Sequence, residues 1–249
     1  MRAYGVLIGG VLAAAVCVRL GFWQVSRLHQ RQAVRAMVEA RQRQPEFELT
    51  GRTAFQAWTL EGEDAMAYRP AVASGVFDFA RQIVLVARSV DHIPAVYIVT
   101  PLRLADGPAI LVERGWVPSP DAYTVPLDSL EEPDSARVAG LLLRYTASRD
   151  FTVPDSTWPL TVPSPDPEKV AGRYPYRLLP WVLRRGQPGP AAPAPPALRP
   201  IPLPVIDNGP HLSYAIQWFA FATIALVGSA ALFRREKRTR KAGRMTSVY

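Results

Sequence analysis

His211, Tyr214 and Trp218 stand at i, i+3 and i+7, a spacing that places all three on one face of a helix, with Gln217 beside the stripe. The imidazole is a metal-ligating group, and it opens an apolar run. From Leu212 to Phe233 there are 22 residues without a charge, and the run stops at Arg234-Arg235-Glu236-Lys237-Arg238. A histidine at such a boundary is costly to bury unless it is solvated, paired or bound to a metal. Against the ligand reading stands an aromatic belt, in which Tyr and Trp sit at headgroup depth and the histidine in interfacial water. Composition by itself favours the belt.

Other residues offer less. Arg114-Gly115-Trp116 closes the most hydrophobic strand-like run. It reads either as an arginine paired across a sheet beside a glycine bulge and a packed tryptophan, or as a docking edge for a partner. The other histidines are His29 and His92, and the chain has no GxSxG, no HExxH and no nucleophile beside a base. No Gly-rich loop follows a strand. An enzyme is therefore not expected. Glu61, Glu63, Asp64, Glu131 and Glu132 read as solvated turns, and Asp91-His92-Ile93-Pro94 as a turn with His92 on the surface.

These residues need elements to position them. The chain has 249 residues and a net charge of +8. Seven Lys/Arg after Phe233 against Glu236 give +6, and Arg2 and Arg19 give the rest; between Gln24 and Pro210 twenty bases balance twenty acids. The excess thus marks membrane topology, and a nucleic-acid partner is not expected. A single cysteine, Cys17, excludes an internal disulfide and a CxxC redox or zinc pair.

Leu212–Phe233, at about 1.5 Å per residue, is long enough for a hydrocarbon core of roughly 30 Å. Tyr4–Trp23 is the second such run, interrupted only by Arg19, which can snorkel. A cleaved signal peptide is the competing reading, but the run is long for one and Arg19 sits where the cleavage site should lie. Two retained helices follow, 4–23 and 211–233. Arg2 and the basic tail outnumber Arg27, Arg31, Arg35, Arg41 and Arg43, which puts both termini in the cytoplasm and residues 24–210 in a periplasm-like space. With no Arg/Ser-rich stretch before Tyr4, a bacterial inner membrane is expected. In this topology Trp23-Gln24 and His211 meet at one level.

Gln24–Gln44 continues as a polar helix. Val72–Phe79, Ile83–Ala87, Val96–Leu104, Ala109–Trp116 and Val138–Tyr145 are rich in Val, Ile and aromatics and bounded by turn residues, so they predict strands. Asp106-Gly107 predicts a hairpin turn. Arg173–Arg184 predicts a further strand or edge segment. Gln187–Pro204 carries eight prolines and predicts an extended strap outside the core. The expected fold class is a membrane protein: two transmembrane α-helices flanking a β-rich extramembrane domain, an antiparallel sheet or partial barrel over about 68–185.

Four separated stretches carry a resemblance: Leu20-Gly21-Phe22-Trp23-Gln24 with Arg27; Tyr68-Arg69-Pro70 with Gly75-Val76-Phe77-Asp78; Thr100-Pro101-Leu102 with Asp106-Gly107 and Ile110-Leu111-Val112-Glu113-Arg114-Gly115-Trp116-Val117-Pro118; and His211-Leu212-Ser213-Tyr214-Ala215-Ile216-Gln217-Trp218-Phe219. In this order they resemble the SURF-one (Surfeit locus protein one) family of cytochrome c oxidase assembly factors over nearly the whole chain. The resemblance implies a chaperone-like factor that handles haem a near oxidase subunit I and the haem a synthesis machinery. It further implies His211 as the haem-iron ligand. Tyr214, Trp218, Gln217 and Trp23 would line the macrocycle, and Arg27 or Arg19 would meet its propionates. The alternative is a cofactor-free interaction module that steadies an oxidase assembly intermediate. Three features depart from the family pattern: Pro94-Ala95 stands where a glycine is usual, Arg31 where a lysine is usual, and the proline strap is expanded.

Overall fold

The computed structural model describes residues 2–130, 132–145, 151–153, 158–186, 198–203 and 207–245. In chain order its elements are α1 (Arg2–Gln42), β1 (Phe47–Leu49), α2 (Gly51–Glu61), α3 (Glu63–Met66), β2 (Pro70–Phe77), β3 (Ile83–Val90), β4 (Ile93–Leu104), β5 (Ala109–Pro118), β6 (Ser135–Leu143), β7 (Leu160–Val162), α4 (Pro167–Val170), β8 (Leu178–Arg185) and α5 (His211–Met245). They form two compact units, one of Met1–Met37 with Val205–Tyr249, the other of Val38–Pro204.

The first unit is a helix pair, and both helices are long and apolar enough to cross a membrane. Small residues decide how they meet. Gly10, Ala14, Cys17, Gly21 and Gln24 recur at alternating spacings of four and three on α1, and Ala215, Ala222 and Ser229 recur every seven on α5. Ala14, Ala215, Ala222 and Ser229 are buried. A period of 3.5 keeps one seam facing its partner, and small side chains let the backbones approach. A Cβ on Gly21 would lie 2.7 Å from the Phe219 ring, and one on Gly10 would strike Ser229. Edge-to-face pairs Phe22–Phe219 and Tyr4–Phe233, each with ring centroids 5.4 Å apart, brace the two ends of the seam.

The second unit holds a single eight-stranded sheet that closes on itself. β2, β4, β5, β8 and β6 form a ring, because β6 pairs with β2 and β2 pairs again with the far end of β4. The twelve residues of β4 make this possible: one edge serves β3 through Val99 and β2 from Leu102 onward. An odd ring cannot alternate direction all the way round, so one neighbouring pair must run parallel. That pair is β5 and β8. The partial barrel read from the sequence is thus a closed five-strand ring, and the sheet is mixed, with β1·β2 and β3·β7 also parallel.

β5 and β8 are buried on both faces. Ile110, Val112, Trp181 and Leu183 belong to one apolar cluster, while Ala109, Leu111 and Val182 belong to the other. Two buried faces erase the polar alternation, so such strands read as continuous hydrophobic runs. Of the two readings of Arg173–Arg184, the strand holds and the edge does not: β8 lies in the middle of the sheet, between β5 and β6. The five strands predicted between Val72 and Tyr145 are present, with ends shifted by a few residues. β1 and β7, three residues each, are too short to show a period and were not predicted. Asp91 and His92, at φ 50° and 65°, make the two-residue turn between β3 and β4.

Asp106-Gly107 turns β4 into β5, with Gly107 at φ 113°. Asp106 has a second task. Its carboxylate accepts from the backbone N–H groups of Gly51 at 2.8 Å and Arg52 at 2.9 Å, so it caps α2 from across the domain. The Gly51 bond leads in holding its pKa below the usual aspartate value. A lowered folded-state pKa means that the stabilisation is complete above about pH 4 and fades as pH falls through the lowered value. Asp106→Ala is expected to cost about 1 kcal/mol at pH 7. In urea titrations the gap to the parent should narrow between pH 5 and pH 2; a constant gap would refute the capping role.

Two further expectations are corrected. Glu132, read as a solvated turn, is buried between two arginines, its side chain 3% exposed. Glu131 and residues 187–197 and 204 of the proline strap lie outside the described residues. The rest of the strap is not outside the core: Leu198 and Ile201 are buried in apolar clusters of the sheet.

Candidate functional site

His211 is the first residue of α5. The chain enters the helix through a turn in which Asp207 accepts from the Gly209 N–H at 3.1 Å, with Gly209 at φ 66°. Pro210 follows, and its carbonyl receives the Tyr214 N–H and the Ser213 hydroxyl. This fixes the ring of His211 at the helix seam. Its Nδ1 lies 2.8 Å from Oε1 of Gln24, which is 187 positions away in sequence. The meeting of Trp23-Gln24 with His211 expected from topology is thus a direct side-chain hydrogen bond.

The other predicted residues are distributed differently. Trp23 is half exposed and carries the Arg27 guanidinium 5.5 Å from its ring centroid; Arg27 also donates to Gln30 at 3.2 Å. Arg19, Leu20, Phe22 and Trp23 line a mostly apolar groove of about 620 Å³. Trp218 is half-buried against Phe221, whereas Tyr214 and Gln217 are exposed. Along the i, i+3, i+7 stripe, His211 and Trp218 are thus partly buried and Tyr214 is exposed. Ala215, Ala222 and Ser229 set the rotation of α5, which keeps His211 at the seam and turns Tyr214 outward. Sequence reasoning missed Gln24 as a partner of His211, although its polar type at the end of an apolar run was a visible signal.

The donor set can be tested against a haem. Among the described residues there is no group of three His, Cys, Asp or Glu that could hold a bare metal ion. A porphyrin brings four nitrogens of its own and asks the protein for axial donors only. His211 meets that need: its Nε2 makes no hydrogen bond among the described residues, and on that side stands Gly209, whose missing Cβ would lie 3.4 Å away. Asn208, in the same turn, has a buried Oδ1 without a partner. The residues fit an axially ligated macrocycle.

In the sheet unit, Arg114-Gly115-Trp116 is not a free edge. Arg114 is the extra residue of a β-bulge opposite Ile98 and Val99, and its side chain is fully buried. Its Nε donates to Glu132 at 2.5 Å, Nη1 to Gln82 at 3.1 Å and Thr100 at 3.3 Å, and Nη2 to the Leu130 carbonyl. Phe79 and Phe77 flank the guanidinium at 4.9 and 5.6 Å. Burial lowers its pKa, and Glu132 opposes that shift. Glu113, next in the strand, faces the other way. It accepts from Arg184 at 2.5 Å and from the Tyr145 hydroxyl at 2.6 Å, and burial followed by the Glu113 charge pushes the Tyr145 pKa well up.

The docking edge suggested by the sequence is filled by the chain itself. β8 pairs with β5 only as far as Glu113, and beyond that point Arg199 bridges Trp116 through both backbone groups. The Trp116 indole donates to Pro200, and Arg199 lies over its ring at 5.1 Å. A Cβ on Gly115 would lie 2.8 Å from the Arg199 carbonyl, so the glycine permits this approach.

Comparison with known proteins agrees with the architecture. The model of the SURF1 family matches residues 11–223, which include most of α1, the whole sheet unit and the first turns of α5. A SURF1-like protein of Rickettsia conorii is 24% identical over 232 residues, covering 88% of this chain and 87% of the relative. Another SURF1-like protein, of Rickettsia felis, is 28% identical over 108 residues, 43% of each chain. With the match running in sequence from α1 through the sheet unit into α5, the chain belongs to the SURF1 family.

Proposed function

We propose that this protein is a membrane-anchored assembly factor for haem–copper cytochrome c oxidase, holding haem a through His211 for insertion into subunit I. The observation that carries the reading is the family match over 11–223, which takes in both Trp23-Gln24 and His211. The site lies in a bacterial inner membrane at its periplasmic face, with both termini cytoplasmic and the sheet unit periplasmic. When bound, haem supplies the iron and its redox couple. The chain's own residues hold and orient it. His211 would supply an imidazole to the iron, Trp23 and Trp218 would wall the macrocycle, and Tyr214 and Gln217 would form its outer rim. Arg27 or Arg19 provides the counter-charge for propionates. No reaction is catalysed; the protein acts as a holder that receives haem a from its synthesis machinery and passes it to the oxidase.

The test is a reduced-minus-oxidised visible spectrum of the detergent-purified full chain, co-produced with a haem a synthesis pathway. The parent is expected to show an a-type band and His211→Ala, at matched membrane level, to lose it. Equal haem in both would move the ligand elsewhere, with His29 next in line. No band in either would leave the cofactor-free module as the better reading.

A further inference from the structure

We infer that Gln24 is a positioning residue that fixes the tautomer of His211, keeping the proton on Nδ1 and leaving the Nε2 lone pair for ligation. The inference rests on the proposed haem role of His211. Its basis is the 2.8 Å approach of Gln24 Oε1 to His211 Nδ1. An amide oxygen has no proton to give, so at this distance the ring nitrogen is the donor. A neutral imidazole carries one proton, and placing it on Nδ1 empties Nε2.

The consequence is chemical. Free neutral histidine in water favours the opposite form, with the proton on Nε2, and a ring in that form must shift its proton before Nε2 can bind iron. Gln24 removes that step. A hydrogen bond from Nδ1–H also orients the ring and raises the basicity of the opposite nitrogen, as for other metal-binding histidines. On the far side of the ring stands Gly209, where an added Cβ would lie 3.4 Å from Nε2, so the glycine keeps a side chain away from that nitrogen. The turn that supplies Gly209 and the helix that supplies Gln24 lie at opposite ends of the sequence, and neither alone prepares the ligand.

The experiment reads the apo protein first. The full chain, labelled with ¹⁵N-histidine in detergent micelles, is examined at a pH where imidazole is neutral. Only three histidines are present, and the exposed His29 and His92 serve as internal references for the solution tautomer. His211 is expected to show a protonated Nδ1 in the parent, and the Nε2-protonated form in Gln24→Leu. Gln24→Glu, which keeps an acceptor at the same place, should retain the Nδ1–H form.

Haem loading is then compared. Gln24→Leu should hold haem about 10–100-fold less tightly, the usual cost of removing the hydrogen-bond partner of a metal-binding histidine. Gln24→Glu should restore retention and lower the midpoint potential, because a carboxylate makes the imidazole more electron-rich. A parent His211 protonated on Nε2, or unchanged in Gln24→Leu, overturns the inference even if haem is bound. The expected tautomer pattern in a protein that takes up no haem would uphold the role of Gln24 while ending the haem reading.

Discussion

Glu132→Gln is expected to destabilise the sheet unit by about 3–5 kcal/mol, more than removal of either arginine that it serves. Glu132 is the shared counter-ion of Arg114, at 2.5 Å, and of Arg185, which grips it through one nitrogen at 2.9 and 3.1 Å. Neutralising it strands two guanidinium groups, with side-chain exposures of 0% and 11%, whose charges already repel. Arg114→Met does less damage, because Glu132 keeps Arg185 and the Thr100 hydroxyl still donates to Gln82; its cost comes mainly from the Leu130 carbonyl losing the Arg114 donor. Both variants can be followed by urea unfolding of the full chain in detergent with tryptophan fluorescence. The order Glu132→Gln worse than Arg114→Met is the diagnostic result. A loss below about 1 kcal/mol for Glu132→Gln would mean that water reaches the pair as it reaches a surface bridge.

The second large effect is expected at Trp181. It is the largest fully buried side chain among the described residues, and its indole N–H donates to the Glu63 carbonyl at 3.0 Å. Trp181→Ala should cost about 3–5 kcal/mol through the cavity that it leaves in the ring interior. Trp181→Phe keeps most of the apolar volume but orphans the Glu63 carbonyl, for a loss of about 1–3 kcal/mol. Equal losses for the two variants would show that the hydrogen bond to α3, rather than the volume, sets the stability at this site.

The local signals in the sequence were reliable because their physics is local. An uncharged run of sufficient length, a basic flank, a Val/Ile-rich stretch closed by Asp-Gly and an Asp-His-Ile-Pro turn signal, of which the structure keeps Asp91-His92 as the turn, each constrain the backbone within about ten residues. They announced both membrane helices, five strands and the turns between them. His211 was legible too, as an ionisable group at a membrane boundary and as the opening residue of a family motif.

Pairing decided everything else. Whether Arg173–Arg184 is an edge or a centre depends on β5 and β6, and the parallel β5·β8 contact follows from the odd number of strands in the ring, which no stretch of sequence displays. Glu132 looks like a solvated acid until Arg114, 18 residues away, and Arg185, 53 residues away, close on it. The face that α5 turns to α1 is set by alanine and serine against glycine, and this separates Tyr214 from His211 despite their helical spacing. Gln24, 187 positions away in sequence, became part of the site only when the fold brought it to the imidazole. The sequence determined the elements and the ligand-capable residue. The tertiary structure decided which groups are desolvated together, because burial and hydrogen-bond partnership belong to pairs of distant segments and to neither segment alone.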